Sequence, residues 1–148
     1  MGVSVNGRAL PVTRPDARGY VWIVRTWQAG DAVEVQLSLD VLREHADPRV
    51  TANAGKVALR RGPLIYCFEE CDNPGLGKLH VSPRARFDVR PAAGLPDGTR
   101  AIDVLNPDGS RFTAVPYYAW DNRAAGAMRV WAEETESSTD HSRSGGTA

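Results

Sequence analysis

Tyr117, Tyr118, Trp120, Asp121 and Arg123 lie close together in the stretch "VPYYAWDNR" (115–123). Aromatic rings can stack on the apolar face of a sugar, while a carboxylate and a guanidinium can hold its hydroxyls. These five residues therefore read as a candidate sugar-contact platform. They also read as the packed corner of a β-domain, with the rings buried and their hydroxyl and indole groups tied to backbone. In an extended chain, neighbouring side chains point to opposite faces. Tyr117 and Tyr118 then cannot share one flat platform, which favours the structural reading.

Other chemistry is less well supplied. Hydrolysis of a glycosidic bond by paired carboxylates needs two of them fixed on either side of the bond. Glu69 and Glu70 are neighbours at the end of an apolar run and would point to opposite faces. Glu133, Glu134 and Glu136 lead into a polar tail. A nucleophile with a base needs a positioned His, and His45, His80 and His141 stand in no such context. No G-x-S-x-G elbow or glycine-rich phosphate loop is present. Cys67 and Cys71 in "CFEEC" are too few for a disulfide framework, and His45 and His80 are not at metal-ligand spacing from them. On a strand the two sulfurs would lie about 13 Å apart, so both are expected to be reduced thiols. No catalytic residue and no metal ligand is assigned.

The chain has 148 residues, with 18 basic and 18 acidic side chains and a formal net charge of zero. Lys56 and Lys78 are the only lysines, and Arg60-Arg61 is the only adjacent basic pair. Without a dense basic stripe, nucleic acid is not an expected partner. No apolar run reaches the roughly 18 residues of a membrane span, and the N-terminus has no signal-peptide pattern. The expectation is a soluble protein with no membrane partner, cytoplasmic by default.

The elements that must position these residues read as strands. Fourteen Gly and ten Pro punctuate the chain, and turn signals recur every eight to twelve residues, as in all-β proteins. Asn6-Gly7 predicts a hairpin within "VSVNGRALPV" (3–12). "GYVWIVRTW" (19–27) is apolar on both faces and predicts an inner strand. "AVEVQLSL" (32–39) alternates strictly and predicts a strand with one wet face. "DVLREHA" (40–46) is expected as a strand. "KVALRRGPLIYCFEE" (56–70) predicts two strands broken at Gly62-Pro63. Shorter strands are expected at 79–81, 85–89, 100–105, 111–115 and 127–133, with a β-turn at "NPDG" (106–109). The fold expected is all-β, with two small antiparallel sandwich-like regions. The first spans 1–70, a turn-rich boundary lies at 71–78, the second region spans 79–133, and 134–148 is a disordered tail.

Three segments in order resemble the C-terminal part of glycoside hydrolase family 127, the β-L-arabinofuranosidase-type enzymes. They are "VNG…GYVWIVRTWQAGDAVEVQLSL", "HADPRVTANAGKVALRRGPLIYCFEE" and "TAVPYYAWDNRAAGAMRVW". The resemblance runs from about Val3 to Trp131. It implies a parent protein with an N-terminal (α/α)6 barrel that holds a cysteine nucleophile and a zinc site of Cys and Glu ligands, followed by β-sandwich regions. The barrel motifs are absent from this chain. Cys67 matches a strand position of the family, and Cys71 falls where the family has no cysteine. The resemblance therefore implies a non-catalytic portion without a cofactor of its own, whose partner is the barrel and which could also form a homo-oligomer contact. The family also has a strand just before "VSVNG", so the first region is expected to lack its initial strand and to be less stable, or to associate. Two alternatives are a stand-alone carbohydrate-binding module using the 117–123 aromatics and a truncated remnant with no function of its own.

Overall fold

Asn6 and Gly7 have φ angles of 52° and 75°, the left-handed pair that a tight antiparallel hairpin requires. They join β1 (Gly2–Val5) to β2 (Arg8–Leu10). β3 (Val33–Gln36) pairs antiparallel with the other side of β1, giving a three-stranded sheet of order β2-β1-β3. The computed structural model describes residues 2–11, 15–37 and 39–135. The chain divides into two compact units, Met1–Leu39 and Asp40–Ala148.

In the first unit, Val3 and Val5 of β1 stand opposite Val35 and Val33 of β3, so all four lie on one face of the sheet. The β1 pair is buried and the β3 pair is exposed. The alternation of 32–39 thus predicts the strand correctly, but not the covering of its apolar face. The expected inner strand at 19–27 does not form. Asp16 organises this segment instead: its carboxylate accepts hydrogen bonds from the backbone N–H groups of Arg18 and Tyr20 at 2.9 and 3.0 Å and from the Trp22 indole at 3.0 Å. A side chain that satisfies nearby backbone groups competes with ladder formation. Tyr20, Trp22 and Val24 remain exposed, and this segment and the hairpin together line an open cleft of about 630 Å³.

The second unit holds β4 (Val41–Glu44), β5 (Lys56–Arg61), β6 (Leu64–Glu69), β7 (Arg86–Pro91), β8 (Arg100–Leu105), β9 (Arg111–Pro116), β10 (Met128–Arg129) and β11 (Ala132–Glu133). They form one sheet of order β11-β5-β6-β9-β8-β7, with β4 also on β5 and β10 also on β6. Gly62, at φ 57°, turns β5 into β6. Val57, Leu59, Tyr66, Phe68, Ile102 and Val104 lie in the main core cluster. The architecture is all-β and antiparallel, as expected. No helix among the described residues is long and apolar enough to cross a membrane.

Two expected boundaries differ from the structure. The 71–78 stretch does not separate two β-regions. β6, which precedes it, pairs with β9, which follows it, with Cys67 opposite Val115. Asn73 fastens the same two strands. Its Nδ2 donates to the Glu69 carbonyl at 2.7 Å and to the Thr113 carbonyl at 2.9 Å, and its Oδ1 accepts from the Thr113 N–H at 2.8 Å. The division falls at Leu39/Asp40 because the strands on either side of the turn bury a common core. Asn73→Ala removes the side-chain partner of the Thr113 N–H and carbonyl, while the Glu69 carbonyl keeps the Asp72 and Asn73 N–H groups, and is expected to destabilise this unit by about 2 kcal/mol. A urea titration that moves by less than about 0.5 kcal/mol, the usual effect of a surface change, would refute that role.

Glu134, the first residue of the expected tail, is held by contacts to the sheet unit. Glu134 donates its backbone N–H to the Gly55 carbonyl at 2.8 Å, and its carboxylate meets Arg43 at 3.1 Å and His45 at 2.7 Å. These polar contacts hold Glu134 in place. The rest of the expected tail, from Glu136 onward and including His141, lies outside the described residues.

Candidate functional site

Pro116 ends β9 opposite Tyr66, and having no N–H it cannot extend the ladder. The chain then makes a single 3-10 turn, Tyr117–Ala119, closed by the Trp120 N–H donating to the Tyr117 carbonyl at 3.2 Å. Ala119 is buried and pins the turn. A 3-10 turn brings residues i and i+3 onto one side. Tyr117 and Trp120 accordingly form a ring pair with centroids 6.1 Å apart and planes inclined by 33°. The extended geometry assumed from sequence does not apply: the pair that meets is Tyr117 with Trp120, not Tyr117 with Tyr118. The rings are not packed away. Tyr117, Tyr118 and Trp120 are 48%, 60% and 41% exposed. The Tyr118 hydroxyl lies 3.5 Å from Thr99 Oγ1.

Asp121 takes a left-handed φ of 61°, which is uncommon outside glycine. Its N–H donates to Glu69 Oε1 at 2.9 Å, and this contact holds the turn over the end of β6. The Asp121 carboxylate is exposed and has no hydrogen bond or ion pair among the described residues. Asn122 donates to the Trp120 carbonyl at 3.2 Å.

Arg123 turns inward. Its Nη2 donates to Glu69 Oε2 at 2.5 Å and also to Asp72 Oδ2, and its Nη1 donates to Asp72 Oδ1 at 3.0 Å. Asp72, then Glu69, hold the guanidinium above its ordinary pKa against the opposing effect of burial. Its stem lies over the turn at Gly94, where a Cβ would stand 3.4 Å from Arg123 Cδ. Of the five residues expected at a sugar platform, Tyr117, Tyr118, Trp120 and Asp121 are at the surface. The Arg123 guanidinium is committed to the cluster beneath.

Glu69, Cys71 and Asp72 bring possible ligand atoms within 4.8 Å of one another. They do not fit a zinc ion. The guanidinium already engages both carboxylates, and desolvation pushes the Cys71 thiol above its ordinary value, away from the thiolate a metal needs. Cys67 is buried, and burial, with the Glu69 charge after it, raises its thiol to about 12. Both cysteines are free. Glu70 accepts the Ala127 N–H at 2.9 Å, so Glu69 and Glu70 form no opposed pair.

The structure also brings His80, which stands in no catalytic context in the sequence, together with Asp108 and Ser110, which sequence reasoning missed. His80 Nε2 lies 3.1 Å from Asp108 Oδ2 and 3.3 Å from Ser110 Oγ. In a catalytic triad the serine and the carboxylate use opposite ring nitrogens. Here both crowd Nε2, while Nδ1 faces the Lys78 carbonyl at 3.0 Å. The trio ties a loop and is not arranged as a triad. Only the Asp108–Ser110 spacing is visible locally; the contact with His80 spans about thirty residues.

Comparison with known proteins agrees with this architecture. The glycoside hydrolase family 127 C-terminal domain matches residues 41–133. A non-reducing end β-L-arabinofuranosidase of Bifidobacterium longum subsp. longum is 33% identical over 87% of this chain and 23% of its own length. The crystal structure of a family 127 β-L-arabinofuranosidase from Geobacillus stearothermophilus T6 superposes with a TM-score of 0.75 at 36% identity, over 90% of this chain and 24% of that one. A second family 127 β-arabinofuranosidase gives a TM-score of 0.73 at 31% identity, over 90% and 23%. The chain spans about a quarter of the length of these relatives. Its second unit has the strands and the corner that the family match covers, and the chain belongs to glycoside hydrolase family 127 as a C-terminal domain.

Proposed function

We propose that this chain is a non-catalytic C-terminal portion of a β-L-arabinofuranosidase-type protein and braces the barrel that carries the chemistry. The observation that supports this most is the state of its reactive side chains. Glu69 and Asp72 are both tied to Arg123, Glu70 is bound to backbone, and burial holds the Cys67 thiol far above neutrality. None of these can act as a nucleophile or as a free acid–base pair at neutral pH. In this reading the zinc and the cysteine nucleophile implied by the family resemblance belong to the barrel.

Two measurements test it. The chain alone is expected to release nothing from an aryl β-L-arabinofuranoside, and zinc- and thiol-dependent turnover by it would overturn the non-catalytic assignment. Deleting the matching segment from the Geobacillus relative is expected to lower that enzyme's melting temperature by several degrees, because the surface it covered becomes exposed. An unchanged melting temperature would count against bracing.

A further inference from the structure

The 117–123 corner carries more than bracing requires. It has two inclined rings at the surface and, on Asp121 next to Trp120 in the chain, an exposed carboxylate without a partner among the described residues, on a backbone held at a left-handed φ. We infer that Tyr117, Trp120 and Asp121 form a contact site for a neutral sugar ring. The rings supply the stacking face and the carboxylate accepts hydrogen bonds from hydroxyls.

A protein partner suits the corner less well. A partner covering Trp120 would desolvate the neighbouring carboxylate, and a charge buried without a partner is costly. The cores of protein interfaces are accordingly depleted of charged residues. A polyol removes the conflict, because each hydroxyl brings a donor to the carboxylate while the C–H face of the ring covers the aromatics. The support beneath is rigid, with Ala119 buried, Asp121 N–H bound to Glu69 and Glu69 bound to Arg123. Such a backing keeps a contact site pre-organised. The inference goes beyond the bracing role, and its failure would leave that role untouched.

The probe is an L-arabinofuranosyl disaccharide titrated into the 148-residue chain and followed by backbone amide chemical shifts. Shifts confined to residues 117–122 are expected, with a dissociation constant on the order of millimolar for so open a site. Trp120→Ala is expected to weaken binding by about tenfold, and Asp121→Asn, which leaves the rings in place, by several-fold. Trp22→Ala, in the other unit, is expected to change nothing. Circular dichroism of each variant confirms that it folds, and Asp121→Asn keeps the test decisive should Trp120→Ala fail to. Two results would overturn the inference: no shifts at tens of millimolar sugar, or shifts that both corner variants leave unaltered. Loss of self-association in Trp120→Ala without any sugar response would overturn it in favour of a protein contact.

Discussion

Arg123→Ala is expected to destabilise the second unit by about 3–5 kcal/mol, the range for breaking a buried ion pair from one side. Glu69, 3% exposed, and Asp72 would then face each other without the cation between them. The loss also reaches the surface, because Glu69 Oε1 anchors the Asp121 N–H. Arg123→Lys should recover only part of the stability, since an ammonium cannot serve both carboxylates in the forked geometry seen here. Adding Glu69→Gln to Arg123→Ala should restore some of it by removing one uncompensated charge. Urea titrations of the single and double variants give the coupling directly. A loss under about 1 kcal/mol in Arg123→Ala would show that the cluster is solvated well enough not to need its cation.

The second large effect is expected at Asp103. It is 0% exposed in the middle of β8, and its carboxylate accepts from Arg90 Nε at 2.6 Å, Arg90 Nη2 at 3.1 Å, Thr113 Oγ1 at 2.8 Å and Arg111 Nη2. Burial pushes this carboxyl up, but the hydrogen bonds from Arg90, Thr113 and Arg111 outweigh it, so it titrates below its ordinary value. A carboxylate lowered in the folded state adds stability that is complete above its unfolded value, about 3.9, and that disappears as pH falls through the lower folded value. Asp103→Asn is therefore expected to cost about 3 kcal/mol at pH 7, roughly 10 °C in melting temperature. The gap between variant and wild type should narrow as the pH drops below about 4. A gap that stays constant down to pH 2 would mean that the charge on Asp103 contributes nothing. The two arginines keep access to water, with side chains 38% and 58% exposed. They can rehydrate when the carboxylate is lost, which places this effect at the lower end of the range.

How much could be read in advance depended on how local each feature is. The Asn6-Gly7 hairpin, the break at Gly62-Pro63 and the turn at 106–109 are written in a few adjacent residues, and all appear in the structure. At the start of the segment 19–27, Asp16 takes the Tyr20 N–H and the Trp22 indole from a few residues upstream, and strand propensity does not register that competition. The boundary at 71–78 failed because turn residues mark a reversal of the chain but not which strands meet after it. Cys67 and Val115 meet through strand pairing between segments far apart in the chain. Within 117–123 the extended geometry assumed from the sequence does not hold. A 3-10 turn of three residues leaves no periodic signal, so the pairing of Tyr117 with Trp120 was hidden. The partners of Arg123 lie more than fifty residues away, and nothing near Arg123 in the sequence points to them.

The division at Leu39/Asp40 affects how this molecule can be observed. Trp22 and Trp27 fall in one unit, Trp120 and Trp131 in the other. Total indole fluorescence is then a mixture of two reporters, and a transition seen through it need not belong to one cooperative event. Replacing Trp22 and Trp27 with phenylalanine would leave a signal that follows the family 127 domain alone.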